Sequence, residues 1–346
     1  MLPPDLPPIL AIESSCDDTA AAVWKDGALA SSVVASQRVH AGFGGVVPEL
    51  ASRAHQRLIV PTVQSALDEA DLELADLGAV AVTYGPGLAG SLLVGLSMAK
   101  GIALGQGIPL LGINHLEGHV YSVFVDGNGP DLPYLCLTVS GGHTLLTLVR
   151  EGFVHEELGR TRDDAAGEAF DKVAKLLSLG YPGGPVIDRL AQDGDPTFLD
   201  LPSPRLGPKG RRGKALFDAS FSGIKTAVRY WLVDLGQDRQ RVLDEHMADV
   251  CASFQRTVVT ALVEGIREAV NETGVRDVAI VGGVSANREL RASAQEAAEA
   301  DGFRLFVPEL RFSVDNAAMI AVTAAHKWVA GQEDDLGLAA VPNLAL

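Results

Sequence analysis

The fold is decided by the stretch ILAIESSCDDTAAAVWKDGALASSVVA, residues 9–35. It contains three short, mostly apolar runs separated by two turn signals: Ile9–Ser15, Asp17-Asp18, Ala20–Trp24, Asp26-Gly27 and Leu29–Ala35. Apolar runs of this length that are bounded by turn residues are typical of β-strands. We therefore expect a three-stranded meander at the start of the chain.

Helices and strands alternate after this meander, and the order then begins again. In the first half, hydrophobic periodicity predicts helices at Pro48–Ala70, Gly90–Leu104 and His115–Phe124, and strands at Val80–Thr83 and Leu110–Ile113. In the second half, it predicts strands at 135–140, 144–150, 154–158, 278–281 and 304–307, and helices from Gly167, Pro185, Phe221, Met247, Ala286 and Asn316. Two copies of one βββαβα plan predict a two-lobed α/β fold with a central cleft. We place the first lobe at 1–126 plus 316–346 and the second at 127–315.

Charge and cysteine content restrict the partners and the compartment. Lys and Arg number 28 against 44 Asp and Glu, and this net charge of −16 opposes non-specific attraction to nucleic acid or anionic membranes. Cys16, Cys136 and Cys251 are too far apart to suggest a disulfide framework or a thiolate zinc site. No signal peptide and no apolar run of about 18 residues is found, so we expect a cytoplasmic protein with no membrane contact.

His115 and His119 form the strongest candidate metal site. They lie four residues apart on a predicted helix, about 40° apart around its axis, so both imidazoles can reach one ion. Two partly buried structural histidines are the alternative. A zinc protease needs a Glu directly after the first His, but Leu116 occupies that position and Glu117 points away. Two His and one carboxylate from elsewhere would instead suit Fe(II) or Zn²⁺ as a Lewis acid.

Other polar residues have two interpretations from the sequence alone. Asp315 opens the last long helix, where an N-cap is the default expectation. The turn Val139–His143 contains two glycines, which fit either a tight hairpin or a backbone anion site. Asp171 and Asp188 lie early in predicted helices, where capping or solvation is as common as binding a ribose.

Seven motifs together carry a resemblance to a known family. They are Glu13–Thr19, Gly44–Arg53, Gly85–Leu88, His115–His119, Val139–Thr144, Gly167–Lys172 and Gly282–Arg288. In this order they resemble the TsaD family of bacterial tRNA N6-adenosine threonylcarbamoyltransferases, over about Ile9 to Val329. The resemblance implies the actin, Hsp70 and sugar-kinase type of fold. It also implies transfer of the threonylcarbamoyl group of threonylcarbamoyl-AMP to N6 of adenosine 37 in tRNAs that read ANN codons, with release of AMP.

The same resemblance implies roles for individual residues and for partners. His115, His119 and Asp315 would hold one divalent metal, Fe(II) or alternatively Zn²⁺. The residues implied for binding the donor substrate are Thr138, Val139, Ser140, Gly141, Gly142, Asp171, Gly184, Asp188 and Asn287. Asp17 and Asp18 are the candidates for acid/base work on the N6 amine. Implied partners are tRNA, a paralogous dimerisation subunit and a small ATPase.

Three other functions remain as alternatives. A metalloprotease is disfavoured by the position of Glu117, and a non-catalytic paralogue lacks the His pair that this chain has. A kinase or a chaperone-like ATPase could use the same fold. Separately, Ser203–Lys214 carries five basic residues and no acid, which predicts an exposed loop that contacts either solvent or tRNA phosphates.

Overall fold

The expected meander is present in the computed structural model, which describes residues 2–37, 46–206 and 217–346. The described residues contain ten strands: β1 Ile9–Glu13, β2 Asp18–Lys25, β3 Ala28–Ser36, β4 Ala79–Gly85, β5 Leu110–Asn114, β6 Tyr134–Val139, β7 Thr144–Arg150, β8 Val154–Arg160, β9 Asp277–Val281 and β10 Arg304–Phe306. They also contain ten α-helices: α1 Pro48–Glu69, α2 Ala89–Gln106, α3 His115–Tyr121, α4 Ala166–Leu176, α5 Gly183–Leu190, α6 Ser222–Asp234, α7 Arg239–Thr273, α8 Arg288–Asp301, α9 Leu310–Ser313 and α10 Ala317–Val329.

These elements divide into two compact units, Met1–Gly129 with Pro308–Leu346, and Pro130–Val307. Residues 127–129 and 308–315, expected in the second lobe, thus lie in the first unit, because the chain leaves the second sheet after Phe306. Asp315 therefore lies in the same unit as His115 and His119.

The first unit contains one five-stranded sheet with the order β3-β2-β1-β4-β5. Strand β1 lies at its centre, antiparallel to β2 and parallel to β4, with Ile12 opposite Val82. All five residues of β1 are buried, as expected for a strand covered on both faces. One face packs against apolar residues of α1 and α2, among them Val63 and Leu96.

The second unit repeats this topology. Its sheet has the order β10-β9-β6-β7-β8, so that β6 takes the place of β1 and β9 the place of β4. Strand β6 is antiparallel to β7 and parallel to β9, and all its residues are buried. The predicted duplication of a βββαβα plan is therefore confirmed in each unit separately.

Two helices differ from the sequence prediction. Helix α7 begins at Arg239 rather than near Met247, because helical segments on either side of His246 join across a kink at that residue, where φ is −126° and ψ is 20°. The four-residue helix α9 was not predicted, since a single turn leaves no periodic pattern.

We expect Phe254→Ala to destabilise the second unit by about 3–5 kcal/mol. The Phe254 side chain is fully buried and packs edge to face on Phe170, with ring centroids 5.0 Å apart. Denaturant unfolding followed by far-UV circular dichroism would measure the loss. The exposed Val233 provides the control, and Val233→Ala should change stability by less than about 0.5 kcal/mol. An equal loss in both variants would contradict the assigned core.

Candidate metal centre and donor-binding residues

Helix α3 begins directly after β5 and carries both candidate histidines. The side chain of Asn114 caps the helix, because its Oδ1 accepts a hydrogen bond of 2.8 Å from the backbone N–H of Leu116. His115 and His119 are both buried, and their rings meet edge to face with centroids 4.7 Å apart. The short helix therefore presents two imidazoles side by side.

Asp315 does not cap the last long helix. The cap of α10 is Asn316, whose Oδ1 accepts from the N–H of Met319 at 2.9 Å. The carboxylate of Asp315 instead faces α3, with its Oδ1 3.2 Å from Nε2 of His119 and 3.6 Å from Nε2 of His115. The default expectation of an N-cap at Asp315 was therefore wrong by one residue.

The three side chains fit one metal ion. Their ligand atoms all lie within 4.8 Å of one another. Ligands about 2.0–2.2 Å from an ion at tetrahedral or octahedral angles are about 2.8–3.6 Å apart, and the two distances to Asp315 Oδ1 fall in that range. A donor set of two imidazoles and one carboxylate suits a divalent transition metal.

Glu13 lies behind His115 and was missed as a site residue in the sequence. Its Oε2 is 3.1 Å from Nδ1 of His115 and accepts from Thr83 Oγ1 at 2.5 Å, while its Oε1 accepts from the N–H of Ser15 at 2.5 Å. A histidine that donates from Nδ1 to a carboxylate keeps Nε2 available for a metal. Two signals in the sequence could have found it: Glu13 ends an apolar strand, and it begins the first of the seven motifs.

Burial and neighbouring charges shift the pKa values of Glu13 and His115 in opposite directions. Burial by itself would raise the pKa of Glu13, but the neighbouring His115 outweighs it and the pKa lies below its usual value. Burial would likewise lower the pKa of His115, yet Asp315 and Glu13 raise it to about 9. The first unit thus stabilises positive charge at this position.

Asp17 and Asp18 lie at the junction between β1 and β2, outside the group of three ligands. Both are half-buried. Burial raises the pKa of Asp18 to about 6; a hydrogen bond from Ser36 opposes the rise, and the charge of Asp315 adds to it. A carboxyl group with this pKa can accept a proton near neutral pH.

In the second unit, Thr138 to Gly142 form the end of β6 and the turn that follows it. Thr138 and Val139 are buried in the sheet. The turn is closed by a hydrogen bond from the N–H of Ser140 to the carbonyl of His143, and the space beside Gly141 and Gly142 is open. The hairpin interpretation is thus correct, and it leaves room for a ligand at both glycines.

Asp171 and Gly184 lie together at the start of α5. Asp171 Oδ1 accepts a hydrogen bond of 2.7 Å from the N–H of Gly183, and the same carboxylate also accepts from Gly184. Burial raises the pKa of Asp171, although these two bonds oppose the rise. The acid therefore caps the next helix instead of its own.

Asp188 and Asn287 meet at the start of α8. Asp188 Oδ1 accepts from the N–H of Arg288 at 3.1 Å, and burial raises the pKa of this carboxyl. Asn287 caps α8 through Oδ1, while its Nδ2 donates to Gln255 Oε1 at 2.6 Å. Residues 100 positions apart are thus joined into one polar cluster.

Comparison with known proteins identifies the family. Residues 28–322 match the family described as TsaD: tRNA N6-adenosine threonylcarbamoyltransferase. The curated protein of that name from Salinibacter ruber is 56% identical over 98% of this chain and 99% of its own length. That from Thermodesulfovibrio yellowstonii is 48% identical, again over 98% and 99%. The chain belongs to the TsaD family.

Solved structures of more distant proteins agree with the fold class. Full-length HypF matches with a TM-score of 0.62 at 11% identity, over 94% of this chain and 47% of HypF. Component A of the (R)-2-hydroxyglutaryl-CoA dehydratase of Acidaminococcus fermentans matches with a TM-score of 0.55 at 16% identity, over 93% and 99%. At these identities the likeness concerns the fold alone, an α/β fold of the actin, Hsp70 and sugar-kinase type.

Membership of the TsaD family does not favour the protease alternative, and the geometry agrees. The Oε2 atom of Glu117 is 2.8 Å from Nζ of Lys327, so this acid is held by an ion pair with α10. A general base on a metal-bound water would need to face the same ion as His115 and His119.

The basic loop lies largely outside the described residues, which omit 207–216 and with them Lys209, Arg211, Arg212 and Lys214. Arg205, which is described, pairs with Glu264 at 3.5 Å and with Glu268, both on α7. Arg205 is therefore neutralised within the second unit and does not support the tRNA-contact hypothesis. Among the described helices, none is long and apolar enough to span a bilayer.

Asp315→Ala and Asn316→Ala should separate metal binding from helix capping. We expect Asp315→Ala to abolish tight binding of a divalent metal without the loss of a helix cap, because this side chain caps no helix. Asn316→Ala should cost about 0.5–2 kcal/mol of stability and leave the metal ligands in place. Isothermal titration with Zn²⁺ and thermal unfolding measure both effects, and the reverse pattern would contradict the assignment.

Glu13→Gln should weaken metal binding about 10- to 100-fold, because His115 loses the carboxylate that keeps its proton on Nδ1. Chelator competition with Zn²⁺ or Co²⁺ measures the affinity. The matched control is Glu117→Gln, which removes an acid of α3 that faces Lys327 and should leave the affinity unchanged. Equal affinities for Glu13→Gln and wild type would refute the role of this carboxylate.

Proposed function

We propose that this chain transfers the threonylcarbamoyl group of threonylcarbamoyl-AMP to N6 of adenosine 37 in tRNAs that read ANN codons. The new bond joins N6 to the carbamoyl carbon, the bond from that carbon to the phosphate oxygen breaks, and AMP and one N6 proton leave. The observation that carries the proposal is the near full-length identity of 56% to a curated tRNA N6-adenosine threonylcarbamoyltransferase.

His115, His119 and Asp315 are proposed to hold one divalent ion, Fe(II) or alternatively Zn²⁺. The compact N₂O donor set in the first unit supports this assignment. When bound, such an ion supplies Lewis-acid polarisation of an oxygen atom. Glu13 would hold the ring of His115 through Nδ1, and Asn114 caps the helix that carries both histidines.

The second unit is proposed to bind the acyl-adenylate. Thr138, Val139, Ser140, Gly141 and Gly142 would surround its acyl-phosphate portion, with backbone N–H groups of the open turn directed at the phosphate. Asp171, Gly184, Asp188 and Asn287 would contact the ribose and adenine, because their polar atoms meet at the starts of α5 and α8. Donors that are fixed before the reaction stabilise the departing phosphate at little reorganisation cost.

Asp17 and Asp18 are the proposed proton acceptors. An adenine N6 amine is a weak nucleophile, and removal of its proton during attack lowers the barrier. The burial that raises the pKa of Asp18 to about 6 supports this role for Asp18 in particular, since the carboxyl is still ionised at pH 7 but is a stronger base than an exposed aspartate.

The reaction needs partners besides tRNA. We propose that this chain works in the cytoplasm with a paralogous dimerisation subunit and a small ATPase, while a separate synthase makes the adenylate. A net charge of −16 opposes non-specific attraction to RNA, which fits a need for partner surfaces in tRNA docking.

Mass analysis of tRNA nucleosides tests the function directly. Unmodified tRNA would be incubated with threonylcarbamoyl-AMP, the two partner proteins, a divalent metal and this chain. We expect threonylcarbamoyladenosine with the wild-type protein and a loss of at least about 100-fold in rate with His119→Ala, because one metal ligand is gone. Glu117→Gln serves as the control with near wild-type rate. No modified nucleoside with the wild-type protein would refute the proposal.

A further inference from the structure

His55 is a buried histidine on α1, and both its ring nitrogens contact the junction between β1 and β2. Its Nδ1 lies 2.7 Å from the hydroxyl of Thr19, and its Nε2 lies 3.0 Å from the carbonyl oxygen of Cys16. Cys16 and Thr19 are the two residues that flank Asp17 and Asp18. One imidazole ring therefore bridges the two ends of the dipeptide that carries both candidate proton acceptors.

The carbonyl partner of His55 selects one tautomer of the neutral ring. A carbonyl oxygen only accepts hydrogen bonds, so Nε2 must carry the proton that is donated to Cys16. In the tautomer protonated at Nε2, Nδ1 accepts from the Thr19 hydroxyl. The ring thus uses one donor and one acceptor at a fixed spacing, which neither an apolar side chain nor a single amide can reproduce.

Helix α2 holds the same carbonyl from a second direction. The hydroxyl of Ser91 donates to the Cys16 carbonyl at 3.1 Å, and the N–H of Leu88 donates to the Ser15 carbonyl at 2.7 Å. A Cβ atom at Gly87 would lie 2.5 Å from that Ser15 oxygen, so the approach requires glycine. Residues 14–17 lie between β1 and β2 and belong to neither strand, so these contacts with α2 and the residues before it hold the segment in position.

We propose that His55, assisted by Ser91, is a positioning residue that orients Asp17 and Asp18 for proton transfer. The inference rests on the proposed function, which assigns the proton acceptor to this dipeptide. Thr19 and Cys16, which His55 contacts, are not among the three ligands of the candidate metal site. Loss of His55 should therefore change the rate of the chemical step while the metal stays bound.

Three substitutions at position 55 separate positioning from simple burial. His55→Leu keeps the bulk and removes both hydrogen bonds. His55→Gln keeps an N–H donor near the position of Nε2 for Cys16, and His55→Asn keeps an acceptor near the position of Nδ1 for Thr19. We expect His55→Leu to lower kcat about 10- to 100-fold, because a misplacement of about 1 Å can cost a factor of about 100. KM for the donor and for tRNA should stay within about threefold.

Partial rescue is the decisive result. His55→Gln should recover more of kcat than His55→Asn, because the Cys16 carbonyl directly precedes Asp17. Zn²⁺ affinity should be unchanged in all three variants. Thr62→Val is the matched control: its buried hydroxyl donates to Leu58 within the same helix at 2.7 Å, so it should lower stability without lowering kcat.

Several outcomes would overturn the inference. A kcat for His55→Leu equal to that of wild type would do so, as would equal losses of kcat in His55→Leu and Thr62→Val. If His55→Leu fails to fold, Ser91→Ala replaces it, and a wild-type kcat in Ser91→Ala would count against the inference. Absence of the modified nucleoside with the wild-type protein would instead refute the proposed function, and the inference with it.

Discussion

The parallel pairing of β1, β4 and β5 is the constraint on which the candidate metal centre depends. Parallel strands end at the same edge of a sheet, so the residues that follow them meet there. With Ile12 opposite Val82 and Gly85 opposite Asn114, this register brings Glu13 and Thr83 to the edge where α3 begins. A shift of one residue in β1 would turn Glu13 to the opposite face and remove the carboxylate from His115.

The same topology carries a different kind of turn in the second unit. Strand β6 is paired with β7 and β9 as β1 is with β2 and β4, but the turn after it is short and rich in glycine. Gly282, with φ at +87°, lies against the Val139 carbonyl, where a Cβ atom would be 2.5 Å from the oxygen. One plan thus produces an acidic, side-chain-rich turn in one unit and an open backbone turn in the other.

Polar residues of similar type have different hydrogen-bond partners in this structure, and residue type alone does not reveal which. Asp315 and Asn316 are both good N-cap residues, yet only Asn316 caps α10 and Asp315 faces the histidines. Asp171 and Asp188 both cap helices that begin elsewhere in the chain, at Gly183 and Arg288. In each case the partner is chosen by how two helices pack, because a carboxylate satisfies whichever N–H groups the fold brings within reach.

The sequence by itself determined the order of the strands and of the helices other than α9, the duplication, the helical spacing of His115 and His119, and the family through its motifs. Each of these follows from residues that lie close together in the chain, where periodicity and turn chemistry act. The family resemblance already implied Asp315 as a ligand beside the two histidines. Only the tertiary structure decided that the Asp315 carboxylate faces both imidazoles, that Glu13 supports His115 and that His55 spans the turn at Asp17 and Asp18. These contacts join residues 36 to 200 positions apart, and they depend on strand register and helix packing, which local sequence does not encode.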